Sequence, residues 1–181
     1  MNFNELINKR QSDRVYINKP VSREIINKCI NAARIAPSAS NSQPWKFIVI
    51  DDVELKNKVA KKTIGLLRSF NKFVPQAPVI IAIVLEKPKL LTELGGRLKK
   101  KEFPLMDIGI AAEHICLQAT EQGVGSCMLG WFDEQAVKTL LNIPDNKSIS
   151  LLITLGYTPE DYKHRKKIRK EMNTVVSYNS Y

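Results

Sequence analysis

Cysteine is too scarce in this 181-residue sequence to build a metal site or a disulfide framework. The three cysteines, Cys29, Cys116 and Cys127, are odd in number, and no two of them are spaced as Cys-x-x-Cys. Structural zinc sites and disulfide frameworks need several thiols at short, regular spacings. The sequence therefore predicts no metal ion, and instead predicts three buried thiols in a reducing cytoplasm.

Long apolar stretches are absent as well. The longest apolar run, Val79 to Leu85, has the length of a strand, whereas a membrane-spanning helix needs roughly 18 or more apolar residues. The first residues include the acid Glu5 and no extended apolar stretch, so neither an anchor nor a secretory signal is expected. A Gly-x-Gly-x-x-Gly turn is also missing, so a Rossmann dinucleotide site is not predicted.

Positive charge, by contrast, is in excess. Lys and Arg number 28 against 18 Asp and Glu, which gives a net charge of +10 at pH 7. This balance favours anionic partners such as nucleotides, phosphates, nucleic acid or an acidic membrane, without choosing among them. The length suits a single domain, residues 1–181, and the 44% of hydrophobic residues suffice for its core.

Helical and strand patterns alternate along the chain. Apolar spacing and capping residues predict helices at 3–9, between Ser22 and Pro37, after Asp52, from Leu105 to Gln122 and after Asp133. Strands are predicted at Trp45–Ile50, Val79–Leu85, 126–129 and 149–155. The second strand is apolar throughout, so both its faces should be covered. These elements predict an α+β fold with a mixed sheet between helices, and residues 87–101 are interpreted as a mobile surface segment.

Two polar clusters stand out near the beginning of the chain. The first, Arg10-Gln11-Ser12-Asp13-Arg14, offers two guanidinium groups and a hydroxyl that can bind a phosphate, and in an extended segment Arg10, Ser12 and Arg14 share one side. The second, residues 36–45, places hydroxyls and amides between a helix and a strand, as needed to bind the edge of a planar heterocycle. A solvated turn of charge and an ordinary loop remain the alternatives.

Together these two clusters resemble the N-terminal signature of the nitroreductase family. Later pieces agree with this resemblance in the same order along the chain: Gly123–Phe132, Leu155–Tyr157, Lys167–Lys170 and Val175–Asn179. Two positions depart from the family pattern. Gln11 stands where Arg or His is frequent, and Ala39 stands where a second hydroxyl is frequent.

The resemblance implies a nitroreductase-like α+β fold and an interlocked homodimer with FMN at the subunit interface. It also implies that NADH or NADPH supplies electrons, which pass to a small acceptor such as a nitroaromatic or a quinone in a ping-pong cycle. The chemistry of such an enzyme belongs to the cofactor. No catalytic side chain is therefore named.

The resemblance also implies residues that bind FMN. Its phosphate and ribityl chain would be held by Arg10, Ser12, Arg14, Lys167 and Arg169. Its ring would be bordered by Pro37, Ser38, Ser40, Asn41, Gln43, Leu129 and Gly130.

Two other functions stay open. One is a flavoprotein of the same fold that performs reductive dehalogenation or enone reduction. The other is a non-enzymatic binder of anions or nucleic acid, suggested by the basic run His164–Lys170. No nucleic-acid-binding motif accompanies that run, so neither nucleic acid nor a membrane is predicted as a partner. His114, Trp45 and Trp131 are interpreted as packing residues.

Overall fold

The structure, a computed structural model, describes residues 1–64, 71–87, 96, 98 and 100–181. Most of the segment predicted to be mobile, residues 87–101, lies outside the described residues. In chain order the described helices and strands are α1 (Phe3–Lys9), α2 (Arg23–Arg34), β1 (Trp45–Ile50), α3 (Val53–Lys61), β2 (Val79–Leu85), α4 (Phe103–Glu121), β3 (Gly125–Leu129), α5 (Glu134–Leu140), β4 (Ser148–Gly156) and α6 (Met172–Val175).

Polar side chains define where four of the helices begin. Asn2, Ser22, Asp52 and Asp133 cap α1, α2, α3 and α5, and each accepts a hydrogen bond from a backbone N–H of the first turn at 2.8–3.3 Å. The first N–H groups of a helix have no partner within the helix, so such side chains stabilise its start. The predicted caps at Ser22, Asp52 and Asp133 are therefore confirmed.

The four described strands form one sheet in the order β1-β2-β4-β3, and every neighbouring pair is antiparallel. The prediction of a mixed sheet is therefore wrong for the described strands. Among the described residues, parallel pairing is limited to an isolated bridge between Ser12 and Ser126, at the start of β3. The short segment after α1 runs beside β3 without becoming a strand.

Side chains alternate across the sheet and fill a core on each face. On β2, Val79, Ile81 and Ile83 pack with residues of α2 and α4, whereas Ile80 and Ala82 pack with residues of α3 and α5. Alternation follows from the two-residue repeat of a strand. Both faces of β2 are covered, as its uninterrupted apolar sequence predicts, and the α+β sandwich is confirmed.

Helix α4 is the longest described element and packs on α2 and against α1. Its buried side is largely apolar and includes Ile108, Ala112 and Ile115. It is 19 residues long, yet no helix in the described part of the chain is long and apolar enough to cross a membrane. Two acids of α4, Asp107 and Glu113, instead support the polar clusters described next.

Candidate functional site

The segment 10–14 is held against the edge of the sheet by Asp13. The backbone N–H of Asp13 donates to Ser126 O at 2.8 Å, and Ser126 N–H donates to Asp13 Oδ2 at 3.3 Å. Asp13 is 7% exposed, and burial raises the pKa of its carboxyl group, although the hydrogen bond from Ser126 partly offsets that rise. The hydrogen bonds of this buried acid therefore fix the backbone from which Arg10 and Arg14 project.

Burial alternates along the same segment. Gln11 and Asp13 are buried, whereas Arg10 and Ser12 are half-buried and Arg14 is exposed. Arg10, Ser12 and Arg14 therefore lie on the accessible side, as the spacing of an extended segment predicts. The Ser12 hydroxyl also lies beside the Cys127 thiol, where it lowers the pKa of that thiol against the larger, raising effect of burial.

A basic tail, residues 162–170, runs antiparallel along this segment. Its contacts, in order, are Arg14 N–H to Tyr162 Oη at 3.3 Å, the Arg165 guanidinium to Ser12 O, Arg165 N–H to Gln11 Oε1 at 3.1 Å, and Lys167 Nζ to Arg10 O. The tail therefore contacts the first cluster instead of extending freely into solvent. Gln11, one of the two departures from the family pattern, accepts a hydrogen bond from the tail through its side-chain oxygen.

The tail brings the positive charge of Lys167 next to Arg10. The pKa of Lys167 is lowered, first by burial and then by the neighbouring charges of Arg10 and Arg169. One carboxylate, Glu113 of α4, lies near this group, with Oε1 3.2 Å from Arg10 Nε. Arg10, Lys167 and Arg169 together with Glu113 carry a net charge of +2, and the cations Arg14 and Arg165 lie along the same segment. A site of this kind attracts an anion with more than one negative charge.

The second predicted cluster folds into a strained loop. Ser40, Asn41 and Gln43 have φ angles of 52°, 50° and 48°, a region that non-glycine residues enter at a cost. Hydrogen bonds within the loop stabilise this conformation. Gln43 N–H donates to Ser38 Oγ at 2.9 Å, and Gln43 Nε2 donates to Asn41 Oδ1 at 2.9 Å. Pro37, Ser40, Asn41 and Gln43 are exposed, and Ser38 is half-buried.

Helix α4 connects the loop to the basic cluster. Asp107 is 5% exposed, and both its carboxylate oxygens lie 3.1 Å from Ala39 N, whose N–H donates to them. Glu113, which pairs with Arg10, follows six residues later on the same helix. Six residues correspond to about 9 Å along a helix axis. The two clusters, distant in sequence, are therefore supported by one rigid element.

The predicted turn after β3 lies further from the basic cluster. Ser126 and Gly130 are four positions apart in the chain, which is about 13 Å along an extended strand. Leu129 is buried, Gly130 is exposed, and a Cβ at Gly130 would meet nothing within 4 Å. Trp131 is 71% exposed, so its interpretation as a packing residue is wrong. Trp45 is half-buried and stacks on Phe47, which fits the packing interpretation.

Sequence reasoning missed four residues of this site: Asp13, Asp107, Glu113 and Arg165. Asp107 and Glu113 carried a signal, because acids within a largely apolar helix need a polar partner. Arg165 stands two residues before Lys167, the spacing that puts side chains of an extended segment on the same side. Asp13 carried no signal, since a charged residue in a charged run is usually solvated.

The remaining titratable candidates are structural. His114 Nδ1 lies 3.1 Å from Ala32 O, which joins α4 to α2, so the packing interpretation of His114 is confirmed. All three cysteines are buried free thiols, and burial raises the pKa of Cys29 and Cys116 to about 12. Among the described residues, no group of three or more His, Cys, Asp or Glu side chains could hold a metal ion.

Comparison with solved structures defines the class of fold. An FMN-dependent nitroreductase from Clostridium difficile R20291 superposes with a TM-score of 0.79 and 26% sequence identity. The alignment covers 97% of this chain and 98% of that protein. The antiparallel sheet between helices, with the docked tail and the polar loop, is thus a nitroreductase-type fold.

Sequence comparison gives the family itself. The Nitroreductase family model matches residues 7–72 and 66–157. A relative from Archaeoglobus fulgidus, which carries the provisional name NADH dehydrogenase/NAD(P)H nitroreductase, is 35% identical over 88% of this chain and 86% of its own length. Mouse iodotyrosine deiodinase 1 is 25% identical over 96% of this chain and 68% of its own length. The chain belongs to the nitroreductase family.

Proposed function

We propose that this chain is an FMN-dependent oxidoreductase that takes electrons from NADH or NADPH and passes them to a small acceptor, such as a nitroaromatic or a quinone, in a ping-pong cycle. The observation that carries the proposal is the basic tail docked on residues 10–14. Its contacts build a cationic site beside a polar loop. The cytoplasm is the proposed compartment, in keeping with three free thiols.

The charge at the first cluster fits the phosphate of FMN. A phosphate monoester carries about −1.5 to −2 charge at neutral pH, which the net positive charge of Arg10, Arg14, Lys167 and Arg169 beside Glu113 can neutralise. Arginine can bind such a group with two parallel N–H donors, and lysine adds a point charge. Arg14 and Ser12 line the same accessible side. These five residues are the proposed ligands of the phosphate and ribityl chain.

The strained loop and the turn after β3 fit the heterocycle. The loop presents hydroxyl and amide groups in a conformation fixed by internal hydrogen bonds, and an open backbone follows Leu129. The proposed ring contacts are Pro37, Ser38, Ser40, Asn41, Gln43, Leu129 and Gly130. FMN, when bound, accepts a hydride from the nicotinamide and later delivers electrons to the acceptor. The chain's own contribution is to bind and orient, which requires no nucleophile.

Self-association is part of the proposal. Helix α4 exposes Leu105, Met106 and Ile110, and the neighbouring α1 exposes Phe3 and Ile7. A patch of large apolar side chains from two contacting helices is typical of a protein interface, and most homo-oligomers are twofold dimers. We therefore propose a homodimer in which both subunits border each FMN. Light scattering at several protein concentrations tests this, and a monomer throughout would contradict it.

An absorption spectrum of the purified protein, with added FMN where needed, tests the central proposal. Anaerobic addition of NADPH and then NADH should bleach the flavin bands, and a nitroaromatic or quinone should restore them. Arg169→Ala should weaken FMN binding, whereas Lys170→Ala, an adjacent exposed cation, should leave it nearly unchanged. A protein that takes up no FMN, or equal effects of the two substitutions, would contradict the assignment.

A second reaction, reductive dehalogenation, is favoured by one observation. The relative named iodotyrosine deiodinase 1 aligns with 96% of this chain. The fold is thus shared with a protein whose name states removal of iodine from an aromatic ring. Release of iodide from iodotyrosine by the reduced protein, without turnover of nitroaromatics, would make this the preferred function. The opposite result would dismiss it.

A further inference from the structure

Arg165 contacts two neighbouring residues of the first cluster through different groups. Its backbone N–H donates to Gln11 Oε1 at 3.1 Å, and its guanidinium donates to the carbonyl oxygen of Ser12. Burial raises the pKa of the Asp13 carboxyl group, and the positive charge of the Arg165 guanidinium is one of the smaller effects that oppose that rise. The described hydrogen bonds of Arg165 are thus made to the protein's own backbone and side chains.

Arg165 lies between two other contacts of the tail with the first cluster. Tyr162 contacts Arg14 on one side of Arg165, and Lys167 contacts Arg10 on the other. Arg165 is thus the middle attachment of an antiparallel pairing. Lys167, two residues beyond it, contacts Arg10 from this attached segment.

Electrostatics oppose that attachment. Docking brings Lys167 to Arg10, and the pKa of Lys167 is lowered first by burial and then by the neighbouring charges of Arg10 and Arg169. Like charges at short range repel one another, and only Glu113 within the described cluster compensates them. The tail therefore needs an anchor whose binding energy comes from outside the cationic group. The carbonyl of Ser12 and the carboxylate of Asp13 supply it.

We propose that Arg165 is a positioning residue that docks the basic tail and thereby places Lys167 and Arg169 at the anion site, without contacting the anion. This inference rests on the proposed function for the identity of the anion, FMN, but the docking itself does not. Arg165 differs from the neighbouring exposed cations in its contacts with Gln11 and Ser12. Lys166 makes none of the contacts described for the tail.

The test compares four variants of the full chain: Arg165→Ala, Arg165→Lys, Arg169→Ala and the control Lys166→Ala. Three quantities are measured: the Kd for FMN, the Kd for inorganic phosphate, and the hydrogen-exchange rate of the Arg14 amide in the protein without FMN. The Arg14 amide reports docking because it donates to Tyr162 Oη. Arg165→Ala should raise the Kd values roughly tenfold or more, the usual effect of deleting a charge-assisted hydrogen bond, and should accelerate Arg14 exchange.

The pattern across variants separates positioning from direct binding. Arg169→Ala should raise the Kd values and leave Arg14 exchange unchanged, since its side chain contacts only Ile168 O among the contacts described. Arg165→Lys should restore part of both effects, and Lys166→Ala should change neither. A raised Kd in Arg165→Ala with normal Arg14 exchange would make Arg165 a direct ligand and overturn the proposal, as would unchanged values of both. If the wild type ignores FMN while Arg165→Ala still loosens the tail and weakens phosphate binding, the proposed function fails and this inference stands.

Discussion

Asp107→Ala should loosen the loop that borders the proposed flavin ring. Asp107 is almost fully buried and receives the Ala39 N–H on both carboxylate oxygens at 3.1 Å. A hydrogen bond to a charged group contributes about 1.5–3 kcal/mol. Against it stands the cost of left-handed backbone at Ser40 and Gln43, about 1–2 kcal/mol for each residue. The anchor and the strain are of similar size, so removing the anchor should let the loop relax.

Two measurements follow from that balance. Urea titration should show a loss of about 2 kcal/mol in the free energy of unfolding. If about 1–2 kcal/mol is then needed to restore the loop on binding, the Kd for FMN should rise roughly 5- to 30-fold. Asp107→Asn keeps one oxygen acceptor and should show a smaller effect of the same kind. Glu102→Ala, which removes an exposed acid just before α4, is the matched control.

The outcome that would refute the reasoning is specific. If Asp107→Ala lowers stability but binds FMN as tightly as the wild type, the loop is not held ready for the ring. If neither quantity changes, the hydrogen bond to Ala39 contributes nothing measurable. If Glu102→Ala weakens FMN binding equally, a general change in charge explains the effect better than the loop.

Three further predictions concern buried groups. Gly125→Ala should lower the free energy of unfolding by about 1–3 kcal/mol, because the new Cβ would lie 2.7 Å from Asp13 Oδ2. Gly130→Ala, with open space, should change it by less than about 0.5 kcal/mol, and equal effects in urea titrations would contradict the packing at Gly125. Burial raises the pKa of Asp13 above its ordinary value of 3.8, so folding favours its protonated form. Its contribution to stability should fall as pH rises through that raised pKa. The stability of wild type relative to Asp13→Asn should therefore decline as the pH rises above about 3.8, and a rising difference would show that the carboxylate is favoured. Burial raises the pKa of Cys29 and Cys116 to about 12, so iodoacetamide at about pH 8 should label neither before unfolding. Rapid labelling of the native protein, read by mass spectrometry, would contradict their burial.

Much of the fold could be predicted because it is encoded in local patterns. The uninterrupted apolar run of β2 predicts a strand covered on both faces, and its alternate residues enter the two cores. The caps Ser22 and Asp133 fix helix starts through hydrogen bonds to residues three positions away. The isolated parallel bridge between Ser12 and Ser126 could not be predicted, since it joins residues 114 positions apart in the sequence.

The site could be predicted less well, for a physical reason. Side-chain spacing shows which face of a segment is buried, but it does not show which distant group completes its hydrogen bonds. The contacts of Arg165 and Asp107 are of that second kind, at 153 and 68 positions. The positive φ angles of Ser40 and Gln43 left no trace either, because neither residue favours that conformation. Strain of this sort is maintained by the surrounding structure and is frequent at functional sites.

Helix α4 explains how one fold can hold both a repulsive cluster and a strained loop. Glu113 lowers the net charge around Arg10, and Asp107 fixes the loop at Ala39. Both acids project from a helix whose apolar side is packed against α2, so their relative position, about 9 Å along the axis, cannot adjust independently. The distance between the proposed phosphate and ring sites is thereby set by helix geometry. Preorganisation of this kind reduces the ordering cost of binding. In the proposed function the protein contributes through this placement.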